Sequence, residues 1–326
     1  MSIQRIINHL KKSKHILLAS HIHPDGDAIG SLISLGLALQ ESKKKVRAYN
    51  ESPIPAVYQF LPSLHLVNQT IGDISEFDTA IILDCSDLHR IGEAAAEVSK
   101  IPVIINIDHH ITNTRFGNLQ YIDPAASSTA EIIYRLISAM DNVSIDKGMA
   151  FSIYTGIMTD TGSFRFANTT PEAFEISHKM VQLGANPHKV AHHIYETISL
   201  NRIKLLNMLF DSIELSYNGK LSIMTLTQNM LQTTGTILED VNGLINYAKQ
   251  IENVKMAALL FERKRNSGGK KRKNHFHVSL RSNGAVNVAT IATSFGGGGH
   301  QNAAGFDIQA TLPDLKRTIF YYSENL

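Results

Sequence analysis

The sequence predicts an α/β protein, with a parallel-sheet N-terminal domain followed by a smaller α+β C-terminal domain. Three observations carry this reading. Short, nearly continuous apolar segments alternate with helical patterns through roughly the first 185 residues, as expected of parallel strands covered on both faces. Beyond about residue 216 hairpin signals replace the alternation. Several apolar segments of the first part also stop abruptly at carboxylates or imidazoles.

The elements follow in order. The opening MSIQRIINHLKKSKH is amphipathic and lacks the apolar centre of a signal peptide, so it reads as a helix of the fold. Strands are expected at HILLAS (15–20), KVRAYN (45–50), TAIILD (79–84) and PVIINI (102–107). A helix is expected over 26–45, closed by lysines, since cations favour a helix C-terminus. SSTAEIIYRLISAM opens on the capping-box pattern Ser128-x-x-Glu131, and DKGMAFSIYTGIM runs into TDTGSF. Asn186-Pro187 starts a further helix, and NRIKLLNMLFDSIEL reads as a connecting one. Asn218-Gly219 marks a hairpin turn, followed by strands at VKMAALLFE and HFHVSLRS. The expected division is a domain over 1–185, a helical linker over 186–215 and a second domain over 216–326.

Composition narrows the class. With 326 residues, 43% hydrophobic and 18% charged, the chain suits two folded domains. No run approaches the roughly 20 apolar residues of a membrane span. Cys85 is the single cysteine, so no intramolecular disulfide forms, and a cytoplasmic location is expected. The formal charge of +2 does not demand a nucleic acid. Charge is uneven, however, because ERKRNSGGKKRKN (262–274) holds seven Lys/Arg and one Glu. It reads either as a solvated hairpin tip or as a phosphate-attracting loop.

The chemistry lies at the ends of elements. His21 follows the first strand, and Asp25 and Asp27 sit in a Pro-Asp-Gly-Asp turn before a helix. Asp84 ends a second strand, Asp108-His109-His110 ends a third, and Asp160 ends a helix. Ligand sites of open α/β sheets form outside the carboxyl ends of the strands. Four carboxylates in one such place repel one another unless cations hold them. Imidazole with carboxylate and no thiolate suits Mn²⁺ or Mg²⁺ better than structural zinc. Five or six donors exceed one open site and fit two ions sharing a bridging carboxylate.

His21-Ile-His-Pro-Asp25-Gly-Asp27, Asp84, Asp108-His109-His110 and Asp160 together resemble the four motifs of the DHH phosphoesterase superfamily. SLRS (279–282) and NVATIATSFGGGGHQNAAGF (287–306) resemble its DHH-associated C-terminal domain. The compact length and FGGGGH are most similar to the NrnA-type branch of bifunctional oligoribonucleases and pAp phosphatases. The resemblance implies two divalent metal ions, Mn²⁺ foremost with Mg²⁺ or Co²⁺ as alternatives. His21, Asp25 and Asp84 would hold one ion. Asp27, Asp84, His109 and Asp160 would hold the other, with Asp84 bridging. His110 would face the scissile phosphate, and Asp108 would orient both neighbouring imidazoles. Arg281 would grip a phosphate, the backbone of Gly296, Gly297, Gly298 and Gly299 would approach it closely, and His300 would touch the terminal phosphate or nucleotide.

The implied active site lies in the cleft between the domains. The implied substrates are short RNA oligonucleotides and pAp (adenosine 3′,5′-bisphosphate), with no membrane partner; a homodimer is compatible with the family. Three other readings stay open. A pyrophosphatase or polyphosphatase is opposed by GGGGH and SLRS. A cyclic-dinucleotide phosphodiesterase is opposed by the absence of sensory segments, and a nonenzymatic RNA-binding module by the intact donor set. Cys85 reads as a small core residue, Ser128 as a cap, and His192-His193 as helix surface. His23 lies inside the first motif without being a family ligand.

Overall fold

The apolar runs of the first part assemble into one six-stranded sheet. The computed structural model describes residues 3–241, 243–263 and 274–325. The strands are β1 (His15–Ser20), β2 (Lys45–Tyr49), β3 (Val67–Asn68), β4 (Thr79–Leu83), β5 (Val103–Asp108) and β6 (Leu119–Ile122). Their spatial order is β3-β2-β1-β4-β5-β6, and every pairing is parallel. Alternate residues serve two cores. Ile16, Leu18, Ile81, Leu83, Ile105 and Ile107 join one, and Leu17, Ala19, Ala80, Ile82 and Ile104 join the other. Burial on both faces is why these strands read as unbroken apolar runs instead of alternating ones. The direction of chain progression reverses between β1 and β4, which makes their carboxyl ends the switch point of the sheet.

The helices of this part are α1 (Ile3–Lys12), α2 (Gly26–Glu41), α3 (Ala95–Val98), α4 (Thr129–Ser138), α5 (Lys147–Asp160), α6 (Pro171–Gln182) and α7 (Pro187–Ala191). A π-helical turn, His192–Glu196, continues the last. α2 stops at Glu41 with no cation in its last turn. The lysines expected to close it instead form the turn into β2, whose first residue is Lys45. The capping box is half made. Ser128 Oγ accepts the Glu131 amide, but the Glu131 carboxylate reaches Ser127 and not the cap residue's own N–H. His193 is not plain helix surface, because its ring stacks on Phe60 at 4.6 Å.

α2, α4 and α5 approach one another at glycines. A Cβ on Gly156 would lie 2.5 Å from the Ala130 methyl and 3.0 Å from Asp27 Oδ1. Gly30 of α2 faces the Ser152 carbonyl of α5 as closely, and Gly26 meets Thr159. Gly156→Ala is therefore expected to force α5 off α4 and to destabilise the protein by about 1–3 kcal/mol, the usual cost of overpacking. Thermal unfolding of the variant checks this; an unchanged Tm would mean the helices part without cost.

The chain divides at Thr197/Ile198. The second unit contains α8 (Leu200–Asp211), α9 (Gln228–Thr234), α10 (Ile245–Lys249), α11 (Val288–Ser294) and α12 (Leu312–Tyr321). Its strands are β7 (Glu214–Leu215), β8 (Leu221–Leu226), β9 (Met256–Glu262), β10 (Asn274–Ser282), β11 (Gly298–His300) and β12 (Ala303–Ala310). They lie in the order β11-β12-β10-β9-β8-β7, and only β8 and β9 run parallel. The β7–β8 hairpin turns where Asn218-Gly219 predicts, with Gly219 at φ +67°. β10 alternates strictly: Phe276, Val278 and Leu280 are buried, while His275, His277, Ser279 and Arg281 are less so. Of the basic segment, residues 264–273 lie outside the described residues.

Candidate metal centre

The predicted donor and acid-base positions of the first unit all lie at carboxyl ends of strands or at helix ends. His21 directly follows β1 and Asp84 directly follows β4. Asp108 closes β5 and presents His109 and His110 beyond it. Asp25 is the N-cap of α2, its Oδ1 accepting the amides of Asp27 and Ala28 at 3.0 Å each. Asp160 is the last residue of α5. Asp84 sits in the left-handed region at φ +56°, a conformation costly for most L-residues but tolerated by Asp. Its own N–H still donates to the Ile107 carbonyl at 3.0 Å.

Three groups of side chains bring donor atoms within 4.8 Å of one another: His21–Asp25–Asp84, Asp27–His109–Asp160 and Asp84–His109–His110. Asp84 faces imidazoles with both oxygens. Oδ2 is 3.4 Å from His21 Nε2; Oδ1 is 3.7 Å from His109 Nε2 and 3.6 Å from His110 Nδ1. Asp160 Oδ2 stands 3.6 Å from His109 Nε2. Asp25 is the outermost member, its side chain 53% exposed and 4.0 Å from His21 Nε2.

The electrostatics fit a site built for cations. Burial drives the Asp27 carboxyl well above the carboxylate range, and Asp84, Asp160 and Asp25 drive it further. Burial likewise pushes Asp160 up to about 7; His109 opposes the rise and Asp84 adds to it. Burial also disfavours charge on Asp84, but His21, His109 and His110 hold it below the usual range. For His110 burial opposes protonation, yet the bond to Asp108 and the charge of Asp84 lift it to about 9. The thiol of Cys85 takes no part: it is fully buried, and burial and the Asp84 charge keep it protonated. The donors left are hard oxygens and imidazole nitrogens, a set suited to Mn²⁺ or Mg²⁺.

Asp108 does less, and something different, from what the sequence suggests. Its Oδ1 accepts the His110 Nδ1 proton at 2.6 Å and the main-chain N–H of His109 at 2.9 Å. It thus orients the ring of His110 and only the backbone of His109. A carboxylate can only accept, so Nδ1 of His110 carries the proton.

Several supporting residues escape the sequence reading. The amides of Thr129 and Ala130, at the N-terminus of α4, donate to the two oxygens of Asp27 at 2.6 and 2.8 Å. Thr129 Oγ1 donates to Asp84 Oδ1 at 3.0 Å. Asn113 Nδ2 holds Asp108 Oδ2 at 2.6 Å and Asn106 Oδ1 at 2.8 Å. Asn168 Nδ2 holds Asp160. The one available signal was Thr129 itself, at the first position of a helix whose free amides favour an anion.

The second unit holds the remaining candidates. Arg281 pairs in register with Ala257 of β9 and Ala303 of β12, and Ala303 pairs with His300 of β11. The Arg281 guanidinium bonds the Leu280 carbonyl at 2.9 Å and has no carboxylate partner among the described residues. The glycine run is only partly the open cradle expected. The amides of Gly296 and Gly297 close α11, donating to Thr293 and Ala292. A Cβ at Gly297 or Gly299 would strike β12, whereas one at Gly298 would meet nothing within 4 Å. Two of these glycines are thus already required by strand packing.

Comparison with known proteins agrees with this architecture. The family model of the DHH family, N-terminal domain, matches residues 15–157, and that of the DHHA1 domain matches residues 226–322. The chain belongs to the DHH family of phosphoesterases, hydrolases of phosphoester bonds. Within that family it is similar to the bifunctional oligoribonuclease and PAP phosphatase NrnA of Thermus thermophilus. The two are 32% identical over 300 residues, covering 92% of this chain and 85% of the relative. The Bacillus subtilis protein of the same name is 28% identical over 298 residues, covering 90% and 89%. Among solved structures, an exopolyphosphatase-related protein from Bacteroides fragilis superposes with a TM-score of 0.90 at 28% identity, covering 99% of this chain and 95% of that one. No described helix is long and apolar enough to cross a membrane.

Proposed function

We propose that the chain degrades very short oligoribonucleotides to mononucleotides and dephosphorylates pAp to AMP, using two divalent ions. The observation that carries this is the two-sided carboxylate of Asp84, with His21 on one oxygen and His109 and His110 on the other. The NrnA name of its Thermus and Bacillus relatives supplies the substrates.

In this reading His21, Asp25 and Asp84 hold one ion, and Asp27, Asp84, His109 and Asp160 the other. Bound ions would supply a water nucleophile at neutral pH and neutralise charge on the phosphoryl group. The chain's own residues do the rest. α4 fixes Asp27 through two main-chain amides. Asp108 fixes the His110 ring by accepting its Nδ1 proton, so that the imidazole would face the phosphoryl oxygens. Arg281, a cation without a carboxylate partner among the described residues, would bind a substrate phosphate. Gly298, Gly299 and His300 would line the same phosphate; for Gly297 the amide is already engaged.

The test is hydrolysis of a 5′-labelled RNA dinucleotide, pAp, pyrophosphate and polyphosphate, side by side, with Mn²⁺ and with EDTA. A His109→Ala, His110→Ala double variant serves as the inactive control. Metal-dependent release from the dinucleotide and pAp is expected. Turnover confined to pyrophosphate or polyphosphate would overturn this reading and favour the activity in the name of the Bacteroides neighbour.

A further inference from the structure

We propose that Asn168 is a positioning residue of the metal centre, and that a chain of hydrogen bonds and ion pairs behind it, centred on the buried Glu131, ties Asp160 to Asp108. The inference rests on the reading of Asp160 as a metal ligand.

Asn168 lies eight residues beyond Asp160, after a turn in which Gly162, Ser163 and Phe164 are all left-handed, at φ +57°, +61° and +61°. That turn brings the asparagine back under the end of α5. Its Nδ2 donates to three oxygens: Asp160 Oδ2 at 3.1 Å, the Asp160 carbonyl at 3.1 Å and the Ser127 carbonyl at 2.9 Å. Two of the three are carbonyls, which only accept, so the amide orientation is fixed by its surroundings. Asp160 Oδ2 is also the atom that faces His109 Nε2. One amide thus grips both the main chain and the ligating oxygen of the same aspartate.

The grip is anchored. Ser127 is fully buried, and its N–H and Oγ–H both donate to Glu131 Oε2, at 3.1 and 2.6 Å. Glu131 is 1% exposed, and its other oxygen accepts from Arg135 Nη2. Arg135 Nη1 donates to Asp123 Oδ2 at 2.6 Å, and the Asp123 N–H donates to the Asp108 carbonyl at 3.0 Å. A charge as deeply buried as Glu131 is costly unless fully partnered. Its partners connect the loop after α5 with the end of β5, the two segments that bring Asp160 and His109 together. Partners of this kind hold a ligand's orientation, and their removal commonly costs 10–100-fold in metal affinity.

The experiment titrates Mn²⁺ into the full-length protein, followed by electron paramagnetic resonance of free Mn²⁺, with Tm measured on the metal-free form. Asn168→Ala is expected to raise the Mn²⁺ midpoint about 10–100-fold, with turnover recovering at saturating Mn²⁺ and KM for the dinucleotide unchanged. Asp146→Ala is the structural control. It removes the N-cap at the far end of the same helix, where Asp146 Oδ1 accepts the Met149 amide at 2.7 Å. It is expected to lower Tm by a few degrees and leave the Mn²⁺ midpoint alone. A midpoint in Asn168→Ala equal to wild type, or shifted no more than in Asp146→Ala, overturns the proposal. Should Asn168→Ala not fold, Asn168→Ser takes its place, since one hydroxyl cannot span the three acceptors. Wild-type protein that binds no Mn²⁺ would overturn the metal reading and this one together; normal wild-type binding matched by the variant would overturn this one alone.

Discussion

Asp84→Asn is expected to lower phosphoester turnover by roughly 10³-fold, the several kcal/mol a bound ion supplies converted at about 1.4 kcal/mol per factor of ten. Asparagine is the right replacement. It keeps the volume at a site only 2% exposed, and it tolerates the left-handed backbone that Asp84 adopts at φ +56°. The main-chain bond to Ile107 is untouched, so the sheet edge persists. What disappears is the charge that faces His21, His109 and His110. Single-turnover hydrolysis of the dinucleotide measures the loss, and circular dichroism verifies the fold. Activity within tenfold of wild type would mean that Asp84 is not shared between two ions.

Without metal, the protein is expected to lose stability as pH rises from about 5 to 8, and Mn²⁺ is expected to cancel that loss. Asp160 is raised from the ordinary 3.8 to about 7, so its contribution is full below 3.8 and is lost as pH climbs through 7. Asp27 is displaced in the same direction. His110, raised from 6.5 to about 9, adds a loss between those values. Asp84 is held low instead, so its contribution is lost only in acid, outside this window. The loss is the sum of these coupled contributions, since a tenfold change in a protonation equilibrium is worth about 1.4 kcal/mol. Ions that bind the deprotonated carboxylates remove the penalty, so the rise in Tm on adding Mn²⁺ should be larger at pH 8 than at pH 5.5. Asp160→Asn should flatten the metal-free profile. A metal-free Tm that rises between pH 5 and 8 would contradict the electrostatic description of the site.

What could be read from the chain, and what could not, divides by the range of the interaction. Strands β1, β4 and β5 were legible because burial on both faces leaves a nearly continuous apolar run, and the first ionisable residue at the carboxyl end of each run stands out as His21, Asp84 or Asp108. Asp160 was legible because an acid ends an otherwise apolar helix. The supports were not. Thr129, Asn113 and Asn168 are ordinary polar residues in loops or at helix starts, and only tertiary pairing across 45, 5 and 8 residues gives them their task. The capping box misled for a related reason: Arg135 draws the Glu131 carboxylate away from the cap, toward Ser127. The glycines of 296–299 read as a ligand cradle, whereas close packing on β12 already requires Gly297 and Gly299, and composition cannot separate the two demands.

The strand order has a consequence for how the molecule is made. The proposed ligands run from His21 to Asp160, and β1 pairs with β4 across some sixty residues. Parallel pairings at such separations form late, after much loop-closure entropy has been overcome. A nascent chain that has emerged only as far as His110 carries His21, Asp25, Asp27, Asp84 and His109. It has neither the helix that bears Asp160 nor the α4 amides that seat Asp27. With the proposed ligand set, metal capture would therefore wait until the chain has been made through α5.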